Sequence, residues 1–467
     1  MKIRLIQPTQ LDENGNPVRY SKLIMPFLTL ATLAGLTPED VDIAITDDYV
    51  ETVDYDEEVD LVGITSLTSQ APRAYRIADE MRRSGRKTIM GGIHASVFPD
   101  EALQHVDSVL IGEAEDLWQT VIADAAAGRL KPLYRADRKP NLSRLAIPRF
   151  DLFDADRYLV PPFSEASTVP IQTSRGCPNR CDFCSVSDFL GREIRRKPVA
   201  NVVQEIESSG SRRIFFTDDN ITGNPARATE LFEALRPMKL RWTCQMSTQV
   251  MSHPKLIRLA ARAGCHENFV GIEAVSVKNL RSVHKDFNRP EEYSLFFRML
   301  KDEGIFAQVA IIFGFDEDTV ESLKRTIDQV LSWDINYLYI MVLTPLPGTR
   351  LYEQMKREDR IANQNWSLYD CIHPVIRFKS ISAADLMGCL WSGYGRFYSM
   401  RSILKRMWRF RREYIAYFPR DSALDEVFFS LGMRKSIYRK ERPNSPGLRK
   451  AYGEIGKCAV KTAANGR

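Results

Sequence analysis

The stretch that decides the fold is SRGCPNRCDFC at residues 174–184, where Cys177, Cys181 and Cys184 lie within eight residues. It directly follows a predicted strand, Val169–Thr173. Thiolates are soft ligands that suit iron–sulfur clusters. Three ligands on one short loop cannot complete a four-iron cube, so one iron stays open for a substrate. The spacing predicts a [4Fe–4S] cluster, with the three cysteines as its metal ligands and as catalytic residues.

Structural zinc is the alternative interpretation of these cysteines. Structural zinc sites usually close with a second ligand pair, and no cysteine or histidine pair of that kind follows. The other five cysteines are scattered: Cys244, Cys265, Cys371, Cys389 and Cys458. Their spacing indicates neither a disulfide scaffold nor a second cluster.

Outward from the cysteine loop, the sequence from Thr168 alternates strand and helix patterns. Six strands are predicted: Val169–Thr173, Arg213–Thr217, Leu240–Met246, Asn268–Glu273, Phe306–Phe313 and Tyr337–Leu343. Helical patterns lie between them, for example Val199–Ser208, Arg227–Leu235, Pro254–Ala263 and Thr319–Leu331. Six such units predict a partial (β/α) barrel with functional residues at the strand ends.

Residues 1 to about 135 show a second α/β pattern. Five strands are predicted: Ile3–Ile6, Val41–Ile45, Leu61–Thr65, Lys87–Met90 and Ser108–Ile111. Helical stretches such as Pro26–Leu36 and Ala71–Arg83 separate them. This alternation predicts a doubly wound parallel sheet, which binds ligands at the carboxyl ends of its strands. Small or polar residues follow three strands, at 65–69, 91–94 and 112–115, and indicate either a ligand site or ordinary turn chemistry.

The sequence therefore predicts an α/β chain of four regions. These are a sheet domain at 1–135, a linker at 136–167, a barrel at 168–365 and a helical, basic C-terminal region at 366–467. The linker holds Pro140, Pro148, Pro161 and Pro162.

The basic stretch from Arg396 to Arg412 is predicted to form an amphipathic helix. Its apolar stripe would be Ile403, Leu404, Met407 and Trp408, and its basic side Arg401, Lys405, Arg409 and Arg412. Such a stripe either packs on the barrel or lies in a membrane interface.

The net charge is only +5, which argues against a broad nucleic-acid footprint. No apolar run approaches the roughly 20 residues of a membrane span. The N-terminus reads as a strand and not as a secretory signal. We expect a cytoplasmic protein, with peripheral contact to the inner face of the membrane left open.

The motif CxxxCxxC, with an aromatic residue before its last cysteine, resembles the radical S-adenosylmethionine superfamily. The resemblance implies that the open iron binds the amino and carboxylate groups of S-adenosylmethionine. Reductive cleavage to a 5′-deoxyadenosyl radical follows, with electrons from a donor such as flavodoxin or ferredoxin. The implied cofactor contacts are Phe183 at the adenine and, at strand ends, Phe216, Asp218, Asp219, Gln245, Ser247 and Glu273. The alternatives are a helix N-cap pair for Asp218 and Asp219 and a plain surface carboxylate for Glu273.

The chain up to about Thr349 resembles the cobalamin-binding branch of that superfamily, through GGIHASVFPDE at 91–101, GEAE at 112–115 and TPLPGT at 344–349. The implied cobalamin contacts are Thr65, Ser66, Leu67, Gly91, Gly92, His94, Gly112 and Glu113. His94 has an equal alternative, a helix-start residue bonded to backbone. The Asp-x-His-x-x-Gly signature is absent from the loop at 7–15, so the resemblance implies cobalamin without a histidine ligand.

The resemblance implies a methyltransferase acting on an unactivated carbon of a lipid, a pigment or another secondary metabolite. One alternative is a cyclase or oxidoreductase with the same cofactors, and a second is a non-catalytic iron–sulfur sensor or binding protein. A tRNA methylthiotransferase is disfavoured because no cysteine precedes Cys177. The region from Trp366 to about Arg412 resembles the tail of hopanoid-modifying relatives.

Overall fold

The computed structural model describes residues 1–158, 167–411, 430–431 and 433–434. Their strands form two six-stranded parallel sheets and one antiparallel hairpin. The predicted α/β class is confirmed. Pro161 and Pro162 of the predicted linker, Cys458 and Arg412 lie outside the described residues.

The first sheet has the strand order β2-β1-β3-β4-β5-β6. Its strands are β1 Lys2–Gln7, β2 Asp42–Asp47, β3 Leu61–Thr65, β4 Lys87–Gly91, β5 Ser108–Ile111 and β6 Leu133–Arg135. Its helices are α1 Leu28–Gly35, α2 Ala71–Arg83, α3 Ile93–Val97, α4 Pro99–Ala102 and α5 Trp118–Ala126. The five predicted strands are present, and the sixth, β6, was missed. It is only three residues long and buries Tyr134 alone, which leaves no periodic signal.

The central strands of this sheet are apolar because helices cover both faces. All four residues of β5 are buried, and so are the first four of β3. One core layer joins α2 to the sheet through Ile64 and Ile77, and the opposite layer joins α5 through Trp118. Burial on both faces is the expected environment of parallel strands.

The second sheet has the order β14-β13-β12-β11-β10-β7, which is an open, partial barrel. Its strands are β7 Val169–Ile171, β10 Arg213–Phe216, β11 Arg241–Gln245, β12 Cys265–Glu273, β13 Phe306–Phe313 and β14 Tyr337–Val342. The helices of this part are α6 Val186–Phe189, α7 Val199–Ser209, α8 Pro225–Leu235, α9 Pro254–Arg262, α10 Val277–Ser282, α11 Tyr293–Asp302, α12 Val320–Ser332 and α13 Arg350–Arg357. The six predicted strands are confirmed, with shifted ends.

A two-stranded hairpin, β8 Ser174–Arg175 and β9 Arg195–Arg196, carries the cysteine loop and was not predicted. It explains why β7 ends at Ile171, short of the predicted Thr173. Gly176 has a φ of +96°, and a Cβ there would lie 2.3 Å from the backbone oxygen of Glu193. Only glycine allows this close return of the chain.

The C-terminal region closes the open edge of the barrel. α14, Ala383–Phe397, places the Tyr394 hydroxyl 2.8 Å from the Ile340 nitrogen and 3.1 Å from its oxygen. The Tyr398 hydroxyl lies 3.1 Å from both the nitrogen and the oxygen of Leu338. The two hydroxyls thus satisfy backbone groups that an edge strand leaves open.

The predicted single helix across Arg396–Arg412 is broken, because α14 ends at Phe397 and α15 spans Met400–Arg409. The Ser399 side chain caps α15 by accepting a hydrogen bond from the Ser402 nitrogen. No helix among the described residues is long and apolar enough to cross a membrane.

Candidate functional site

The cysteine loop lies beside the carboxyl ends of the barrel strands. Cys181 is buried, and Cys177 and Cys184 are half-buried. Burial raises the pKa of all three thiols, to about 11 for Cys181 and about 12 for Cys184. Thiols protonated in this way lose their protons when a metal binds. The donor set therefore fits an iron–sulfur cluster.

The described residues contain no group of three His, Cys, Asp or Glu side chains that converges tightly enough to hold a single metal ion. A cubic cluster needs a wider spacing, because each thiolate binds a different iron.

The cysteine loop is fixed to the barrel through Asp182. Its carboxylate lies 2.8 Å from Nδ1 of His284 and 2.9 Å from Nε of Arg350. Its backbone oxygen accepts a hydrogen bond from the Leu351 nitrogen at 2.9 Å. α13 and the segment after α10 therefore hold the loop from outside.

Lys285 is the most important site residue that the sequence interpretation missed. Its Nζ lies 2.5 Å from Oε1 of Glu273 and 5.7 Å from the ring centre of Phe183. Although burial opposes it, the Glu273 carboxylate raises the pKa of Lys285, and Cys181 and Cys184 raise it further as thiolates. Lys285 is therefore a cation at the cysteine loop, and no motif in the sequence indicated it.

Glu273 ends β12 in a left-handed conformation, with a φ of +61°. Such a conformation is costly for a residue with a Cβ and is often found at functional sites. Gly271 leaves room for it, since a Cβ at Gly271 would lie 2.2 Å from Oε1 of Glu273. The plain surface-carboxylate alternative for Glu273 is wrong, because the residue is buried and ion-paired.

The loop after β10 separates the roles of its two aspartates. The Asp218 carboxylate is fully buried and accepts hydrogen bonds from the Thr173 nitrogen at 2.9 Å and the Ser174 hydroxyl at 2.5 Å. Asp218 therefore connects the end of β10 to the hairpin. This role differs both from the predicted contact with S-adenosylmethionine and from the N-cap alternative. Asp219 is half-buried, and burial together with Asp218 raises its pKa to about 7. Its charge also acts on Cys177 and Cys184.

Phe216 is a correction to the predicted contacts. Its side chain is fully buried and meets Trp242 edge to face, with 5.3 Å between ring centres. The ring belongs to the barrel core and cannot line the mouth. Gln245 and Ser247 are half-buried at the end of β11, and the Ser247 hydroxyl lies 3.2 Å from Nδ2 of Asn220.

A cavity of about 420 Å³ opens between the strand ends of both sheets. Seven of the eight predicted cobalamin contacts line it: Thr65, Ser66, Leu67, Gly91, Gly92, Gly112 and Glu113. The barrel contributes Gln172 and Thr217, and the cysteine hairpin contributes Arg175. The helix after Cys184, α6, contributes Val186 and Phe189. The cavity thus joins the first sheet to the neighbourhood of the cysteine loop.

The lining of this cavity is open and largely apolar, which suits a large ligand. A Cβ built on Gly112 would have no atom within 4 Å, and Leu67 is 52% exposed despite being apolar. Further apolar lining comes from Leu30 and Leu33 of α1 and from Trp118 of α5. Gly92 differs, because a Cβ there would lie 2.6 Å from the backbone oxygen of Ser66. The turn against Ser66 therefore requires glycine at position 92, whether or not a ligand is bound.

His94 does not line the cavity and is fully buried. Its Nε2 lies 3.2 Å from Oε1 of Glu101, which also accepts hydrogen bonds from the Tyr75 hydroxyl at 2.9 Å and from Nε1 of Trp366 at 3.0 Å. The alternative, a helix-start residue bonded to backbone, has the position right, because His94 lies in the first turn of α3, but the side chain bonds Glu101 and not backbone. The described cavity lining contains no histidine.

Family comparisons agree with this two-part site. A B12 binding domain matches residues 26–122, and the radical SAM superfamily matches residues 171–330. The bacteriochlorophyllide d C-12(1)-methyltransferase of Chlorobaculum tepidum is 30% identical over 86% of this chain and 88% of its own length. The hopanoid C-2 methylase of Rhodopseudomonas palustris is 25% identical over 73% of this chain and 66% of its own.

The fold is also shared with a solved structure, the cobalamin-dependent S-adenosylmethionine radical enzyme OxsB with aqua-cobalamin and S-adenosylmethionine bound. The match has a TM-score of 0.66 at 16% identity and covers 96% of this chain and 74% of that one. The chain belongs to the cobalamin-dependent radical S-adenosylmethionine methyltransferase family. The cofactors of that family are a [4Fe–4S] cluster, S-adenosylmethionine and cobalamin.

Proposed function

We propose that this chain methylates an unactivated carbon of a large apolar metabolite, with a tetrapyrrole pigment as the first substrate class to test. The observation that carries the proposal is the cavity in which the strand-end loops of both sheets meet beside the cysteine loop. The similarity to a bacteriochlorophyllide methyltransferase over most of both chains supports the pigment class. We divide the chain for this role into the regions 1–135, 136–167, 168–365 and 366–467.

The residues have separate tasks in this proposal. Cys177, Cys181 and Cys184 hold the cluster. Lys285 binds the carboxylate of S-adenosylmethionine, because it is a cation beside the Phe183 ring of the cysteine loop. Asp219 binds its ammonium group, because its charge acts on Cys177 and Cys184 and its carboxylate is less buried than that of Asp218. Phe183 packs against the adenine, and Gln245, Ser247 and Glu273 provide polar contacts.

When bound, the cluster with S-adenosylmethionine supplies hydrogen abstraction, and cobalamin supplies the methyl group. The chain contributes placement and exclusion of water. Leu67 and Gly112 receive the corrin, while the apolar floor at Leu30 and Trp118 receives its tail. An apolar cavity wall also protects reactive intermediates from water.

The test is anaerobic reconstitution with iron, sulfide and hydroxocobalamin, followed by S-adenosylmethionine bearing a deuterated methyl group. Pigment and lipid extracts from a deletion strain serve as substrates. We expect deoxyadenosine and one product that carries the deuterated methyl. A changed product without the label would assign ring formation or oxidation instead. If no deoxyadenosine forms under reducing conditions, the result would support the alternative of a non-catalytic sensor or binding protein.

We also propose a one-electron donor protein, such as flavodoxin or ferredoxin, at the outer side of the cysteine loop. Asp182 adjoins Cys181 and bonds His284, whose side chain is 62% exposed, and Arg180 and Arg350 are exposed beside it. Basic surface charge favours an acidic partner. Cluster reduction by flavodoxin should slow with added salt, while reduction by dithionite should not follow the same salt dependence.

A peripheral membrane contact is the last part of the proposal, and α15 supports it only in part. Leu404 and Trp408 are 58% and 69% exposed, whereas Ile403 of the predicted stripe is buried. Of the predicted basic side, Arg401 and Lys405 are exposed, but Arg409 lies 3.7 Å from Asp334. An exposed Trp with neighbouring basic residues suits an anionic membrane surface.

Flotation with anionic vesicles tests this contact. Wild type should float at low salt, and a variant with Leu404 and Trp408 both changed to Ser should not. Wild type that stays at the bottom would remove the membrane contact without affecting the methyltransferase proposal.

A further inference from the structure

A buried ion network joins the first sheet to the hairpin that carries the cysteine loop. Nη1 of Arg175 lies 2.6 Å from Oε2 of Glu113 and 2.5 Å from Oε1 of Glu115. Nη2 of Arg195 lies 2.7 Å from the other oxygen of Glu113, and Nζ of Lys139 lies 3.5 Å from that same oxygen. Both carboxylates are almost fully buried, so solvent does not screen these contacts.

The two arginines come from the neck of the cysteine hairpin. Arg175 lies on β8, two residues before Cys177, and Arg195 is its direct partner on β9. The two glutamates follow β5 of the first sheet, after Gly112. The acidic loop after β5 therefore binds both strands of the hairpin that carries the cluster ligands.

Such a network tolerates little change in separation. A buried charge that loses its partner is costly, so the glutamates and arginines must stay within contact distance. Arg175 and Arg195 contact different oxygens of the Glu113 carboxylate. The network therefore fixes the orientation of the hairpin relative to Glu113 as well as its distance. The network therefore defines how far the first sheet stands from the cysteine loop.

The network also borders the cavity. Glu113, Glu115 and Arg175 are all part of its lining, and Nε of Arg175 lies 2.7 Å from Oε1 of Gln172, which lines it too. A ligand that fills the cavity thus contacts the same groups that hold the hairpin neck.

We propose that Glu113 and Glu115 are positioning residues that set the cysteine hairpin against the corrin-bearing sheet and so couple occupancy of the cavity to the order of the cluster loop. The proposal deepens the proposed function and rests on it. It revises the predicted role of Glu113, because its carboxylate binds the arginines of the hairpin as well as facing the cavity.

The experiment is hydrogen exchange of peptides covering residues 172–197, first in the cofactor-free chain. Glu113→Gln should speed exchange there by about tenfold or more, as expected when a local opening becomes easier. Arg195→Gln should do the same. The double variant should be no faster than either single one, because the two residues share one network.

Glu57→Gln is the matched control. Glu57 bonds Nε of Arg4 at 2.7 Å, and Arg4 lies on β1, which two strands of the same sheet separate from β5. It should leave exchange at 172–197 unchanged. In the reconstituted enzyme, Glu113→Gln should also release more deoxyadenosine per methylated product than wild type.

Unchanged exchange at 172–197 in Glu113→Gln would overturn the positioning role. So would a loss of cobalamin affinity with unchanged exchange, which would make Glu113 a plain cofactor contact. The exchange measurement needs no cofactor, so a wild type without deoxyadenosine formation would end the proposed function while the network is still tested.

Discussion

Replacing Lys285 by Met tests the assignment of the S-adenosylmethionine carboxylate. The change keeps an unbranched side chain only one atom shorter and removes its charge. It leaves the Glu273 carboxylate, 2.5 Å from Nζ in the wild type, buried without its cation. Two separable effects should follow, one on stability and one on binding.

The structure sets the size of both effects. Breaking a buried ion pair by removing one partner costs about 3–5 kcal/mol, and both side chains here are buried. A hydrogen bond to a charged group contributes about 1.5–3 kcal/mol, so S-adenosylmethionine should bind about 10–150-fold more weakly. The cysteine ligands are untouched, so the reconstituted protein should keep its iron.

A double variant, Lys285→Met with Glu273→Gln, separates the two effects. Removing the stranded carboxylate should restore most of the thermal midpoint, while the affinity for S-adenosylmethionine stays low. Lys301→Met is the control, since Nζ of Lys301 lies 3.4 Å from Asp334 and 5.4 Å from the ring centre of Phe410, a similar arrangement away from the cysteine loop. It should bind S-adenosylmethionine as wild type does.

The measurements are thermal unfolding of the cofactor-free proteins and equilibrium binding of S-adenosylmethionine to the reconstituted ones. Wild-type affinity in Lys285→Met, at full iron content, would refute the assignment of Lys285. Equal weakening in Lys301→Met would show that the loss is not specific to the site.

Three further predictions concern the other parts of the site. Replacing Cys177, Cys181 or Cys184 by Ala should abolish the cluster absorbance and deoxyadenosine formation. Wild type should hold about four irons per chain. A higher iron content that falls on replacing Cys371 or Cys389 would reveal a second cluster. Gly91→Leu should fill the cavity without backbone strain and weaken cobalamin retention on gel filtration, with an unchanged iron–sulfur spectrum. Burial raises the pKa of Asp47 from 3.8 to about 7, so the folded chain holds a proton that the unfolded chain has lost. Stability should fall as pH rises from about 4 to about 7, and thermal midpoints of Asp47→Asn should fall less steeply over that range, with Asp219 contributing the remaining slope.

The sequence predicted most strands because hydrophobic patterns and strand-end loops are local features. It also predicted which loops meet at the cavity, because parallel strands place their carboxyl ends at one edge. It failed on the direction of single side chains. Phe216 is two residues from Ile214 on β10, and the strand period of two already placed both on the buried face. The alternation along β10 therefore already indicates that the Phe216 side chain points into the barrel core.

Other residues could not be predicted, because their partners are far away along the chain. Lys285 meets Phe183 across about a hundred residues, and Arg175 meets Glu113 across 62. No local pattern encodes such a contact. The broken helix at Ser399 was locally readable, since a serine before Met400 is an ordinary N-cap.

The C-terminal region does more than follow the barrel. The hydroxyls of Tyr394 and Tyr398 form hydrogen bonds with backbone groups of β14. The Trp366 side chain donates a hydrogen bond to Glu101, on α4 beside the first sheet. The first sheet is therefore held at two places, by Trp366 through Glu101 and by the hairpin arginines through Glu113 and Glu115. Two separate attachments resist rotation as well as displacement, which one attachment cannot do. Methyl transfer between two cofactors depends on their separation and orientation, and under the proposed positioning role both would be set by residues outside the cysteine motif.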